Sequence, residues 1–205
     1  MKPWPFPYIV IATYNKNKLI QFQDLFGQEL SLAVKGLHDF DSLPEIVEDQ
    51  DSFEGNAVKK ARTVAEAIEG PVIADDSGLV VPALGGAPGV YSARYAGENA
   101  TDEQNNQKLI NEIRSLPEQE RNAYYVCAMA LVVPAQTTLV VRGECHGRVV
   151  EEGRGTEGFG YDPIFYLPEE GATMAELPAE RRYAISHRAK ATKKLIALMK
   201  NEFQF

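Results

Sequence analysis

The chain has 205 residues, a formal net charge of −8, 44% hydrophobic and 24% charged residues. That length suits one domain over residues 1–205, or one core in two lobes, with ample apolar content for a core. An acidic balance excludes a general nucleic-acid binder, which is normally basic, but leaves room for a small anionic substrate where lysines or a cation reverse the local field.

"YIVIAT" (8–13) is a continuous apolar run, as in a strand buried on both faces. A helix follows, with Leu19, Phe22, Leu25 and Phe26 at helical spacing and Gly27 as its expected stop. "LAVKGL" predicts a second strand, and the acidic, proline-containing stretch 38–51 an exposed loop. Ser52 is a suitable N-cap for a helix that faces Phe53, Ala57, Ala61, Val64, Ala65 and Ile68 inward until Gly70. "PVIADD" reads as a third strand ending at Asp75 and Asp76, and "LGGAPG" (84–89) as a loop. "TDEQ" (101–104) is a capping-box pattern opening a helix with Leu109, Ile110 and Ile113 inward. Two long β-prone runs, "AYYVCAMALVVP" and "TTLVVRGECHGRVV", predict an antiparallel hairpin. From about Ser186 a basic amphipathic helix turns Leu195, Leu198 and Met199 inward. Helices and strands alternate early and strands dominate later, so the expected class is α/β with a mixed sheet.

Cys127 and Cys145 form no CxxC pair and read as reduced core residues of a cytoplasmic protein. "MKPWPFPYIVIAT" is too short and too broken by proline for a signal peptide. No stretch approaches the roughly 20 apolar residues of a membrane helix.

Five segments could carry chemistry. Asp75 and Asp76 fall at a predicted strand end, where open α/β sheets place ligand crevices. Neighbouring strand residues point to opposite faces, so one carboxylate can face a ligand while the other braces the loop. Carboxylates near a polyphosphate suit Mg²⁺; a polar turn closing a strand would look the same. "ATYNKNK" (12–18) leads from strand to helix, where free N–H groups attract anions, though no Walker pattern is present. In "SFEGNAVKKA" (52–61), Glu54 sits in a first helical turn, serving either the dipole or a metal. "GFGYDPIF" (158–165) sets Phe159 between glycines, as a stacking platform or as a turn with a core ring. "AISHRAKA" (184–191) puts His187 and Arg188 at a helix start, where cations are disfavoured without a ligand. HExxH, paired CxxC and GxSxG are absent, so neither zinc nor a serine nucleophile is indicated.

Taken together and in order, "ATYNKNK", "FEGNAVKKA", "ADDSGLVVPALGGAPGVYSARYAG", "GFGYDPIF" and "AISHRAKA" resemble the inosine triphosphate pyrophosphatase family, the dITP/XTP or non-canonical purine nucleoside triphosphate pyrophosphatases. The resemblance spans nearly the whole chain. It implies a mixed, twisted sheet flanked by helices, in two lobes with a central cleft. It implies Mg²⁺-dependent hydrolysis of ITP, dITP and XTP to the monophosphate and pyrophosphate by a homodimer; composition and hydropathy add the expectation of a cytoplasmic protein with no nucleic-acid or membrane partner. Carried over, Asp76 becomes the metal-associated proton acceptor, Glu54 a metal carboxylate and Asp75 a supporting neighbour or second metal contact. Thr13, Tyr14, Asn15, Lys16, Asn17 and Lys18 match the phosphate loop. Lys60 and Ser77 match substrate contacts. Phe159, Gly160, Tyr161 and Asp162 match the base-binding segment, and His187 and Arg188 the pair on the purine edge. Two positions depart from the pattern: Tyr14, where a small residue or Asn is usual, and Arg182, where a lysine is usual. The rival readings are a pyrophosphatase for modified pyrimidine triphosphates and a nucleotide sensor that binds without hydrolysis.

Overall fold

Tyr8–Ile11 is a strand buried along most of its length, as its unbroken apolar run demands. The computed structural model describes residues 1–14 and 16–205, with side chains at all of these except 16–18, 21 and 24. In chain order the elements are β1 (Lys2–Pro3), β2 (Tyr8–Ile11), α1 (Lys16–Leu30), β3 (Ala33–Lys35), α2 (Phe53–Ile68), β4 (Val72–Val80), α3 (Asp102–Ile113), β5 (Asn122–Val133), β6 (Thr137–Val149), β7 (Phe165–Leu167), β8 (Ala172–Thr173), α4 (Ala179–Ile185), α5 (His187–Glu202) and β9 (Phe203–Gln204).

The sheet is mixed and seven-stranded, in the order β3-β2-β4-β5-β6-β7-β8. β2 runs parallel to β3, with Tyr8 opposite Ala33, and to β4, with Val10 opposite Val72. β6–β7 and β7–β8 are antiparallel. β5 and β6 are sheet neighbours joined by a turn at 134–136, too short for a parallel crossover. β1 and β9 form a separate parallel pair, with Lys2 opposite Phe203.

The chain divides into two compact units, one of residues 1–76, 128–142 and 191–205, the other of 77–127 and 143–190. The core of the first holds Ile9, Ile11, Phe26, Ala57, Ala61, Ile73, Met129, Leu131, Leu195 and Met199. The core of the second holds Leu79, Leu109, Ile113, Tyr125, Cys145, Phe165 and Met174. Both cysteines are free thiols inside these cores.

Local capping chemistry appears where expected. Ser52 Oγ accepts the Gly55 N–H at 3.1 Å, and Thr101 and Gln104 make a reciprocal capping box. Ser186 Oγ accepts from the Ala189 N–H at 3.0 Å.

Four expectations need correction. β4 does not end at the aspartates but runs on to Val80, because Leu79 and Val81 are fully buried and draw the strand into the second core. Gly27 does not stop α1; an interior glycine costs only about 1 kcal/mol, and buried Leu30 anchors one more turn before left-handed Ser31. Glu69, at φ 50°, rather than Gly70, closes α2. Leu198 is 39% exposed, since the inward stripe of α5 is Ala191, Leu195 and Met199, four residues apart.

Candidate active site

In the first unit the chemistry gathers where α2 begins and β4 passes. Asp75 is buried and Asp76 half-buried on β4. Asn56, 2% exposed, sits in the first turn of α2 and donates from Nδ2 to Asp76 Oδ2 at 2.9 Å. Its own Oδ1 accepts the Gln50 N–H at 2.9 Å, which fixes the amide's orientation. The Asp76 carboxylate therefore lies at a helix N-terminus, where negative charge is favoured.

One helical turn on, Lys60 Nζ donates to the Asp75 carbonyl at 3.0 Å and pairs with Glu48. Lys59 turns away to Asp49 at 2.5 Å and holds that exposed carboxyl below its usual range. Glu54 is half-buried, with Oε1 3.1 Å from Arg142 Nη1. It also lines a surface cavity of about 480 Å³ with Gln50, Lys59 and Arg62. Thr13 is buried, and its carbonyl accepts from the Leu37 N–H at 3.3 Å. Tyr14 is 58% exposed, edge-on to His38 at 5.1 Å. Asn15 and the side chains of Lys16, Asn17 and Lys18 lie outside the described residues.

In the second unit, which opens at half-buried Ser77, the glycine-flanked turn is a built feature. Gly158 and Gly160 have φ of 77° and 62°, which side-chain-bearing residues rarely adopt. Phe159 is 72% exposed, so it is not a core ring. Its N–H donates to Asp162 Oδ2 at 3.1 Å, and Asp162 Oδ1 accepts from the Tyr125 hydroxyl at 2.9 Å. Burial pushes the Asp162 carboxyl up, against these two hydrogen bonds and the nearby Arg182 charge. Burial and Asp162 push the Tyr125 hydroxyl well up too, so it stays a donor. Tyr161 is buried and donates to the Ser92 carbonyl at 2.7 Å. The His187 ring stacks on Tyr125, centroids 4.9 Å apart and 12° from parallel. Arg188 is half-buried beside it in sequence. Arg182 reaches Glu157 at 3.3 Å and the Leu177 carbonyl at 3.4 Å.

Thus the structure groups Asp75, Asp76 and Lys60 in one unit, and Phe159, Asp162 and His187 in the other. Glu54 is directed to Arg142, and Tyr161 inward. Glu48, Asn56, Asp102, Asn106 and Tyr125 are not marked as site residues by the sequence motifs. Only Asn56 carried a signal: it is a polar residue on the stripe of Phe53, Ala57 and Ala61.

A family model described as the Ham1 family matches residues 9–198. A dITP/XTP pyrophosphatase of Shouchella clausii is 50% identical over 183 residues, 89% of this chain and 91% of that one. Its counterpart from Geobacter sulfurreducens is 49% identical over 193 residues, 94% of each chain. Among solved structures, the Ham1 protein of Staphylococcus aureus superposes with a TM-score of 0.89 at 41% identity, covering 95% of this chain and 99% of that one. A HAM1 protein from Coxiella burnetii gives 0.89 at 39% identity, covering 96% and 100%.

Proposed function

The chain belongs to the Ham1 family, and from that premise we propose that it is a nucleoside-triphosphate pyrophosphatase, hydrolysing dITP, ITP and XTP to the monophosphate and pyrophosphate. Relatives of about half-identical sequence bear the name dITP/XTP pyrophosphatase. The observation that carries the reading is the Asp76 carboxylate, held by Asn56 at the start of α2, one residue beyond the carbonyl that Lys60 grips.

Magnesium fits this site as an ion shared with substrate. The donors at hand, Asp76 with Glu48 or Glu54, are hard carboxylate oxygens of the kind Mg²⁺ takes, one or two at a time, alongside phosphates and waters. Among the described residues no group of three or more His, Cys, Asp or Glu side chains is placed to hold a metal ion. Lys60 links Glu48 to β4, and Arg142 pairs with Glu54. The bound ion would offset charge gathering on the leaving pyrophosphate and acidify water.

Asp76 accepts the proton of a water attacking the α-phosphorus. The new P–O bond forms as the bond to the bridging α–β oxygen breaks, and pyrophosphate leaves. Lys60 exchanges Glu48 for a phosphate oxygen and holds the chain of phosphates in line. Positioning and electrostatics therefore supply most of the acceleration.

The exposed Phe159 ring offers a base-stacking face. Donors aimed at the purine 6-position, Arg188 among them, match the 6-keto group of inosine and xanthine. With the adenine 6-amino group they are left unpaired, a mismatch worth up to roughly 10⁴-fold.

We also place the protein in the cytoplasm as a homodimer. Two free buried thiols suit a reducing compartment. Among the described residues no helix is long and apolar enough to cross a membrane. The glycine-rich segment exposes Tyr91, 58% accessible, with the Arg94 guanidinium 5.2 Å from its ring centre, residue types enriched at interfaces. Sedimentation would show a dimer that Tyr91→Ala weakens. For the activity, the test is pyrophosphate and orthophosphate release with Mg²⁺ from dITP, ITP, XTP, GTP, ATP and dUTP. Pyrophosphate from the first three is expected. Orthophosphate alone, or a preference for dUTP, would reject the reading.

A further inference from the structure

Phe159 and His187 lie 28 positions apart in sequence (187 − 159), and one side chain outside every motif connects them. Tyr125 is 8% exposed on β5. One face of its ring lies 4.9 Å from the His187 ring and 12° from parallel. Phe165 packs against it, centroids 4.6 Å apart, and prevents the ring from retreating. Its hydroxyl reaches Asp162 Oδ1 at 2.9 Å, and Asp162 Oδ2 in turn takes the Phe159 N–H at 3.1 Å.

A second clamp acts on the same turn from α3. Asp102 Oδ2 accepts the Gly160 N–H at 2.7 Å, and Asn106 Nδ2 donates to the Gly160 carbonyl at 3.1 Å. The Phe159 carbonyl accepts from the Asp162 N–H at 3.2 Å. All four backbone polar groups of Phe159 and Gly160 are therefore bonded, while the Phe159 ring stands 72% exposed. A Cβ at Gly158 would collide with the Asp162 carboxylate, so the turn closes tightly on its support. An apolar ring in water on a backbone tied at every polar group is a preorganised contact: the ordering cost of binding has been met during folding.

We propose that Tyr125 is a positioning residue for base selection, its ring setting the His187 plane and its hydroxyl setting Asp162 and through it Phe159, with Asp102 as the second support of the turn. This rests on Phe159 and His187 serving as the base contacts, as proposed above. Tyr125 lies in the same compact unit as Phe159 and His187, so its loss is expected at the base end of the ligand.

The test compares the two products as ligands of the intact protein, inosine 5′-monophosphate and inorganic pyrophosphate, by calorimetry. In Tyr125→Leu the inosine monophosphate Kd rises about tenfold, the scale of a lost ring contact plus a relaxed turn, while the pyrophosphate Kd stays within about twofold. The kcat/KM ratio for dITP over dATP falls by the same factor. Tyr125→Phe keeps the stack, loses only the hydroxyl, and falls about threefold. Asp102→Ala, at an exposed position, shifts the same ratio about fivefold with little risk to the core. Unchanged inosine monophosphate affinity in Tyr125→Leu and Asp102→Ala overturns the proposal. Equal weakening of both products also overturns it, because that is general structural damage. Wild-type pyrophosphate release from dITP tests the reaction itself, and only the ratio in the variants tests Tyr125.

Discussion

Replacing Asn56 with alanine probes the link between the start of α2 and the proposed base. Asn56 is 2% exposed, and its amide makes two hydrogen bonds, one to the Asp76 carboxylate and one from the Gln50 N–H. The bond to a charged acceptor contributes about 1.5–3 kcal/mol, and an orphaned buried N–H costs about 1–3 kcal/mol. Partial access of water to half-buried Asp76 and Gln50 lowers the sum, leaving a net loss of about 2–3 kcal/mol. For a chain of this size that is a Tm drop of about 5–10 °C. Activity should fall further than stability implies, because a ligand-orienting partner commonly carries 10–100-fold. With the protein kept well below its Tm, kcat on dITP should drop by about that factor while KM changes little, since Asn56 touches the proposed base rather than the phosphates. The assay is coupled pyrophosphate release alongside a circular-dichroism melt. A folded Asn56→Ala protein with wild-type kcat, or one altered only in KM, would refute the reasoning.

Lys60→Ala should raise the KM for dITP about tenfold, against about twofold for Lys59→Ala, because Lys60 faces β4 and Lys59 faces the loop; equal effects in steady-state kinetics would contradict this. Arg188→Ala should lower kcat/KM for ITP far more than for ATP, and an equal fractional loss on both would remove Arg188 from base recognition. Gly158→Ala, at φ 77° and against the Asp162 carboxylate, should lower Tm by several degrees, on the order of 1–3 kcal/mol of strain, and weaken inosine monophosphate more than pyrophosphate. Burial raises the folded-state Asp162 carboxyl above its unfolded value, so the folded protein takes up this proton more readily. Wild type should therefore gain stability relative to Asp162→Asn as pH falls from 7 through the acid range, and lose it as pH rises; paired melts at each pH read the difference.

Much of the fold was legible because its signals are local. Ser52 and Thr101 cap their helices by bonding within three residues, and such bonds depend on little else in the chain. The unbroken run at Tyr8–Ile11 needed two covered faces and has them. Features set at a distance were harder to read. "ADDSG" reads as a strand end by composition, yet Leu79 and Val81, both fully buried, carry β4 past the charges. Two short edges, β1 and β9, join opposite ends of the chain and leave no local pattern.

The site divides the same way. Asp76, Lys60 and Phe159 sit in quotable motifs, but the pairings that support them are not written there. Asn56 finds its partner 20 residues away, and Asn106 meets Gly160 54 residues away. Glu48 is one acid among many in an exposed loop until Lys60 selects it. Tyr125 lies in "AYYVCAMALVV", a run indistinguishable from core until its hydroxyl meets Asp162.

The most direct measurement is product analysis of dITP turnover in Mg²⁺ by wild type and Asp76→Asn, with pyrophosphate and orthophosphate read separately. Wild type should release pyrophosphate and deoxyinosine monophosphate in equal amounts, and Asp76→Asn, still folded, should lose at least about 10²-fold in kcat. Orthophosphate in place of pyrophosphate, or an Asp76→Asn enzyme of near-normal turnover, would contradict the account.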